Sequence, residues 1–191
     1  MTSHFDPAAE TAHRQADWER ATPFAEWLAE ADDLVDLWTS ATERATVDAD
    51  LVARAEAVPG EWRLIVLMED WCLDATSTIP PVVALADAAS TLDLRVLDRD
   101  DNLELMDAHL TNGRARSIPV VIVLDGDGVE RAWWGPRPAD LQAWFYGDGQ
   151  AMEPKDRTRE LRKWYARDRG QTTVREIVEL LETLGGAGGV A

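Results

Sequence analysis

The sequence predicts an α/β fold, in which a four-stranded mixed β-sheet is flanked by helices and extended by further helices at both termini. Three observations lead to this prediction. Short apolar runs alternate with helical patterns between residues 63 and 125, a hairpin signal joins the last two runs, and amphipathic patterns continue on either side. Runs separated by helices pair as parallel strands through right-handed crossovers, whereas the short final link makes the last pair antiparallel.

Residues 1–58 are predicted to form an N-terminal helical extension. One face of a helix is indicated by apolar residues that fall three, four and seven apart, namely Phe24, Trp27, Leu28, Val35 and Trp38. Asp48 is a candidate cap for a second, short helix that runs to Val58. Pro59-Gly60 then breaks the helical pattern and marks the boundary of the core.

Residues 59–147 are the predicted core, and its strands are short apolar runs bounded by turn residues. In chain order the runs are RLIVLM (63–68), LDLRVLD (92–98), IPVVIVLD (118–125) and VERAWWG (129–135). The first run has the continuous apolar character of a buried strand, and the second alternates apolar with polar residues. The GDG turn between the last two runs indicates a hairpin.

Helices are predicted between and after these strands, over residues 76–89, 101–110, 138–146, 156–168 and 172–184. Pro80 and Pro81 must lie near the first turn of the first helix or kink it. In the second helix Leu103, Met106 and Leu110 share one face. Residues 148–191 form a C-terminal helical extension, whose last helix buries Val174, Ile177, Val178, Leu181 and Leu184.

Composition limits the classes of function. The chain has 191 residues, 46% of them hydrophobic, and a net charge of -17. A surface this acidic repels phosphate backbones and anionic lipids, so neither nucleic acid nor a membrane is an expected partner. A single cysteine excludes an intrachain disulfide and fits a reducing compartment, and the first twenty residues lack the apolar core of a signal peptide. The expected location is therefore cytoplasmic.

The three histidines, His4, His13 and His109, do not cluster, and with one cysteine they offer no metal-ligand spacing. No metal and no cofactor are therefore predicted. His109 is expected near the end of a helix, where a histidine interacts favourably with the helix dipole.

Two short motifs carry a resemblance to a known family. Trp71-Cys72-Leu73-Asp74-Ala75 follows the first core strand, and Ser117-Ile118-Pro119-Val120 opens the third. Together with this element order, and with LDRDDNLELMDAHLTNGRARSIPVVIVLD and WWGPRP, they resemble the thioredoxin-like superfamily. More narrowly, they look like a group of bacterial thioredoxin-like proteins whose usual motif is Trp-Cys-Gly-Asp-Cys. The resemblance covers about residues 60 to 140.

Two positions depart from the family pattern. Ala75 stands where the resolving cysteine belongs, and Val66 stands where many thioredoxins keep a buried aspartate that assists deprotonation of that second thiol. The two losses are consistent with each other, because the base has no thiol to serve. The site is therefore a degenerate form of the Trp-Cys-x-Asp-Cys motif.

The resemblance places Cys72 at the start of a helix, with its sulfur facing a cis-proline, Pro119. Helix N-termini favour the thiolate, while the negative charges of Glu69, Asp70 and Asp74 oppose it, so moderate thiolate character is expected. Arg114 and Arg116 precede Pro119 and are candidates to offset that negative charge and to hold a substrate carboxylate. Their alternative is to be ordinary surface charges.

Two functions follow from the resemblance. In the first, the protein is a monothiol thiol-disulfide oxidoreductase: Cys72 forms mixed disulfides, an external thiol resolves them, and Trp71, Ile118, Pro119, Arg114 and Arg116 bind substrate. Its partners are then a protein or a low-molecular-weight thiol or disulfide. In the second, the protein is a redox-inactive binding module and Cys72 is an inert, buried thiol.

Overall fold

The computed structural model describes residues 14–187, so His4 and His13 lie outside the described part of the chain. The N-terminal elements are α1 (Gln15–Arg20), β1 (Thr22–Pro23), α2 (Phe24–Ala29), α3 (Val35–Arg44) and α4 (Ala49–Glu56). The central elements are β2 (Trp62–Met68), α5 (Leu73–Ala88), β3 (Leu92–Asp98), α6 (Leu103–Asp107), β4 (Val120–Asp125) and β5 (Glu130–Trp134). The C-terminal helices are α7 (Ala139–Tyr146), α8 (Pro154–Asp168) and α9 (Gln171–Ala187), with a 3₁₀ turn at Asp148–Ala151.

Within residues 14–187 the strands form one sheet in the order β1-β3-β2-β4-β5. β2 pairs parallel to β3, and β4 pairs antiparallel to β5, as the sequence predicts. The prediction that strands separated by helices run parallel is wrong for β4, which follows α6 but pairs antiparallel with β2. The sheet has one strand more than expected, because β1 pairs antiparallel with Arg95 and Val96 at the edge of β3. A two-residue strand that ends in proline is too short for a periodic pattern and suits only an edge, so sequence alone gives no signal for it.

The central strand β2 is buried on both faces, and residues 64–68 of it are inaccessible to solvent. On one face α5 and α9 pack together, with α3 against α5 and α4 against α9. On the other face Trp18 of α1 lies under the guanidinium groups of Arg63 and Arg95, at 5.5 and 4.4 Å from its ring centroid. Burial on two faces explains why this strand reads as a continuous apolar run.

Residues 24–44 form two helices, α2 and α3, where the sequence predicted one continuous helical face. The chain turns between α2 and α3, and Leu34 adopts a left-handed backbone with φ 52°. Phe24, Trp27 and Trp38 still meet in one aromatic cluster with centroids 5.2–6.1 Å apart. Val35, which was expected on this face, is exposed, because the break rotates the start of α3 away from the core.

Asp70, just before the Trp-Cys pair, anchors this extension. Its carboxylate accepts the backbone N–H groups of Asp32 and Asp33, both at 2.9 Å. Its carbonyl accepts the indole N–H of the fully buried Trp38 at 2.7 Å. The turn before α3 is therefore fixed directly against the segment that leads into α5.

The second core helix, α6, is shorter than predicted, and Leu103 at its start is exposed instead of sharing the buried face of Met106. The expectation that His109 is only a helix-end partner is also too simple. His109 is buried: Nδ1 lies 2.7 Å from the carbonyl oxygen of Leu105, and Nε2 lies 2.8 Å from Glu130 Oε1. Glu130 also accepts from Arg14 at 2.8 Å, so these contacts join the chain just after α6, β5 and the residue before α1.

The C-terminal helices pack onto the core. The predicted buried face of α9 is confirmed, since Val174, Ile177, Val178, Leu181 and Leu184 are all buried. Glu176 of α9 accepts the indole N–H of Trp134 at 2.6 Å and the backbone N–H of Ala139 at 2.8 Å. Among the helices of residues 14–187, not one combines the length and the apolar character that crossing a membrane requires.

Replacing Glu130 by Gln is expected to destabilise the fold by about 2 kcal/mol at neutral pH, since it weakens charge-assisted hydrogen bonds with Arg14 and His109. Burial alone would raise the pKa of Glu130, but hydrogen bonds and positive charge from His109 and Arg14 outweigh it, so the pKa is lowered from 4.5. A lowered folded-state pKa gives stability that is present above the unfolded value and is lost as pH falls through the folded value.

Urea unfolding of wild type, Glu130→Gln and the exposed control Glu43→Gln, followed from neutral to acidic pH, measures this. The difference between wild type and Glu130→Gln should shrink below about pH 4.5. A difference that is independent of pH would contradict the role assigned to the carboxylate.

Candidate functional site

Cys72 lies at the N-cap of α5, where the chain turns from the end of β2 into the helix. The turn is closed by the N–H of Cys72, which donates to Glu69 O at 3.1 Å, and the carbonyl of Cys72 accepts the first helical N–H from Thr76 at 3.0 Å. The thiol is only 7% exposed. Its Sγ points at the carbonyl oxygen of Ile118, 3.6 Å away, so the two motifs quoted from the sequence meet in space.

The loop facing the thiol is set by the Ile118–Pro119 peptide bond, which is cis, and both residues are buried. Gly135, at the end of β5, packs against it with φ 143°. A Cβ at this glycine would lie 2.3 Å from the carbonyl oxygen of Pro119, so any side chain here would force the two segments apart. The glycine of WWGPRP is therefore required for the close approach of β5 to the Pro119 loop.

Asp74, in the first turn of α5, is the polar centre of the site. Its carboxylate forms an ion pair with Arg137, which follows β5, and accepts the hydroxyl of Tyr165 from α8 at 2.9 Å. Arg137 donates in addition to Gln142 Oε1 at 3.1 Å and stacks on Phe145, 4.1 Å from the ring centroid. Burial and the charge of Asp74 raise the pKa of Tyr165 well above 10.0, so its hydroxyl stays a donor.

The Cys72 thiol is less acidic than the sequence led us to expect. The pKa of Cys72 is raised from 9.0 to about 11, mainly by burial and in addition by the charge of Asp74. Hydrogen bonds from the backbone N–H groups of Ala75 and Asp74, together with the positive charge of Arg137, lower it by less. The prediction of moderate thiolate character is therefore wrong, because desolvation outweighs the helix N-terminus.

Trp71 and the two arginines of the Pro119 loop lie outside this buried centre. The Trp71 side chain is 46% exposed, and Arg99 lies 5.1 Å from its ring centroid. Arg116 pairs with Asp107 at 2.7 Å on the surface, and Arg114 is exposed. The cation that acts on the thiol is Arg137, while contact of Arg114 or Arg116 with a substrate stays a prediction.

Sequence reasoning missed the roles of Asp74, Arg137 and Tyr165. Asp74 and Arg137 do fall within the motifs WCLDA and WWGPRP, so the signal for them was present in part. Tyr165 lies 91 residues after Asp74, in a helix whose pattern gives no indication of a site contact. The two positions that depart from the family pattern, Val66 and Ala75, are both completely buried. Within residues 14–187, the structure groups no set of three or more His, Cys, Asp or Glu side chains that could hold a metal ion.

Replacing Asp74 by Asn is expected to lower the pKa of Cys72, because it removes a negative charge that opposes the thiolate and leaves Arg137 unopposed. The rate of iodoacetamide modification at neutral pH should rise roughly tenfold. The matched control is Asp101→Asn, which removes an exposed carboxylate from the loop before α6. A rate no higher than that of the control would show that Asp74 does not set the acidity of the thiol.

Comparison with known proteins supports the fold over most of the chain. The family model described as thioredoxin matches residues 21–161. A protein of unknown function from Pseudomonas aeruginosa, solved at 1.5 Å, superposes with a TM-score of 0.69 at 16% identity, over 87% of this chain and 95% of that chain. An HIV epitope-scaffold superposes with a TM-score of 0.59 at 15% identity, over 85% of this chain and 99% of that chain.

At these identities the solved structures show the fold alone. No curated protein matches the chain. The family match begins at the buried Ala21 before β1 and ends inside α8, so it takes in parts of both helical extensions as well as the sheet. With Cys72 at the start of α5 facing the Ile118–Pro119 loop, the chain belongs to the thioredoxin family.

Proposed function

We propose that this protein is a thioredoxin-fold binding module for another protein, in which Cys72 is a buried structural thiol and not a redox nucleophile. The observation that carries this proposal is the state of the thiol: it is 7% exposed, and its pKa is raised to about 11. At neutral pH roughly one molecule in ten thousand then carries the thiolate, which is the form that attacks a disulfide.

Two further features support a binding role. The chain has one cysteine, so an adduct on Cys72 has no internal thiol to resolve it. The aromatic residue beside the thiol, Trp71, is nevertheless exposed, although tryptophan is usually well buried. A surface on which Trp71 is exposed while the Cys72 thiol is buried is suited to non-covalent association.

Monothiol exchange is the second candidate, and one observation favours it. The N–H groups of Asp74 and Ala75 and the charge of Arg137 all act to lower the pKa of Cys72. In such a reaction the Cys72 thiolate would attack one sulfur of a disulfide and release the other sulfur as a thiolate. A second, external thiol would then attack the mixed disulfide and regenerate Cys72.

The pH dependence of Cys72 modification separates the two candidates. We expect iodoacetamide to react with the native protein roughly a hundredfold more slowly than with the urea-unfolded chain at neutral pH, because folding raises the pKa from 9.0 to about 11. The native rate should rise with pH until about pH 11. If iodoacetamide modifies the native protein as fast as the unfolded chain or faster, monothiol exchange becomes the favoured function.

A direct exchange assay tests the absence of redox function. Reduction of insulin and of a glutathione mixed disulfide, with reduced glutathione as the external thiol, is expected to be the same for wild type and Cys72→Ser. Serine is close to cysteine in shape and is favoured at a helix N-cap. Cys72→Ser is therefore expected to preserve the fold and to remove only the thiol. Turnover by wild type that Cys72→Ser abolishes would contradict the binding-module proposal.

A further inference from the structure

An unusual group of exposed apolar side chains lies beside the thiol site. Among residues 14–187, seven large apolar or aromatic side chains are 36–46% exposed, and five of them fall on two segments. These five, which we term the exposed apolar patch, are Leu34, Val35, Leu37, Trp71 and Leu73. Isolated exposed apolar residues are ordinary, but a group of this size bordered by charge is typical of an interaction site.

The two segments are held together at Asp70. The Asp70 side chain accepts the N–H groups of Asp32 and Asp33, and its carbonyl accepts the indole N–H of Trp38. Leu34, Val35 and Leu37 therefore lie between anchor points that all contact the residue preceding Trp71. α3 also packs against α5, the helix that Leu73 opens, so both segments rest on the same helix pair.

One residue of the exposed apolar patch, Leu34, has an unfavourable backbone conformation. Leu34 has φ 52°, a left-handed backbone that glycine or asparagine adopts far more readily than leucine. The residue nevertheless remains 36% exposed. A strained backbone that leaves an apolar side chain partly exposed favours contact of that side chain with a partner.

The border of the patch is strongly acidic. Residues 21–43 contain six acids (Glu26, Glu30, Asp32, Asp33, Asp36 and Glu43) and no lysine or arginine. The second segment, residues 69–74, has no basic residue and adds Glu69 and Asp70; its third acid, Asp74, is paired with Arg137 inside the site. Two of the border acids, Asp32 and Asp33, are exposed directly beside Leu34.

We infer that the exposed apolar patch docks a segment of another protein in which Lys or Arg alternates with large apolar side chains; this names the partner class of the binding function proposed above. Its apolar residues would cover Leu34, Leu37 and Trp71. Its cations would meet the acidic border, which gives orientation and a fast association rate. Arg99, already stacked on Trp71, shows that this ring accepts a cation at its face.

A second copy of this chain matches the patch poorly. Its basic residues concentrate in α8, which holds Lys155 and Lys163, the only lysines of the chain. Within the described residues, the exposed large apolar side chains outside the patch are Leu103 of α6 and Tyr146 of α7, so α8 contributes no exposed large apolar side chain, and its Trp164 is half-buried. Anionic membranes and nucleic acids would meet the acidic border with like charge.

The experiment titrates the isotope-labelled full chain with two synthetic peptides, one alternating Leu and Trp with Lys and the other with Glu in place of Lys. We expect the basic peptide alone to bind, with NMR shifts at residues 34–37 and at the Trp71 indole, and with affinity that falls at high salt. Leu37→Ser and Trp71→Ser should each weaken binding roughly tenfold or more. Tyr146→Ser, equally exposed but outside the patch, is the matched control.

Charge reversal is a second test. The double substitution Asp32→Lys with Asp33→Lys should weaken binding of the basic peptide and allow binding of the acidic peptide. If peptide binding maps only to the Ile118–Pro119 loop and is unchanged by Leu37→Ser, the docking role of the exposed apolar patch is contradicted, but the proposed binding function is not. Binding of neither peptide would also overturn the docking role, and so would self-association in sedimentation that Leu37→Ser abolishes. The proposed function itself fails separately, through Cys72-dependent turnover in the exchange assay.

Discussion

The arrangement of the site depends on the ion pair and the hydrogen bond that the Asp74 carboxylate forms with Arg137 and Tyr165. The carboxylate lies in a mostly buried position at the first turn of α5, where an unpaired charge would be costly. Arg137 from the chain after β5 and Tyr165 from α8 both satisfy it. One side chain thereby joins the central helix, the end of the sheet and the C-terminal extension, and it places a negative charge beside the thiol.

The position of the Asp74 carboxylate beside Cys72 affects the acidity of the thiol. In a cysteine at a helix start, backbone N–H groups favour the thiolate. Here burial and the Asp74 charge raise the pKa of Cys72 instead, and Arg137, whose positive charge acts in the opposite direction, is already engaged by Asp74 and Gln142. A thioredoxin framework can therefore be retained while its thiol is kept protonated. Association through exposed side chains, the function proposed above, does not require a thiolate.

Asp70 has an equivalent role on the outside of the site. Its three accepted hydrogen bonds fix the left-handed turn at Leu34 and the start of α3 beside Trp71. The same connection explains why the N-terminal helical pattern breaks where it does. Phe24, Trp27 and Trp38 enter the core together, whereas Leu34, Val35 and Leu37 remain exposed.

The α/β class, four of the strands and the main helices follow from the sequence pattern, and the resemblance of its two motifs to the thioredoxin-like superfamily implied that Cys72 meets the Ile118–Pro119 loop. Apolar periodicity and turn residues are local signals, and each is written in a short stretch of chain. The tertiary structure was needed to establish the fifth strand, the break at Leu34, the burial of His109 beside Glu130, and the pairing of Asp74 with Tyr165. It also decided the acidity of Cys72, because a pKa depends on desolvation and on charges brought from distant positions in the chain.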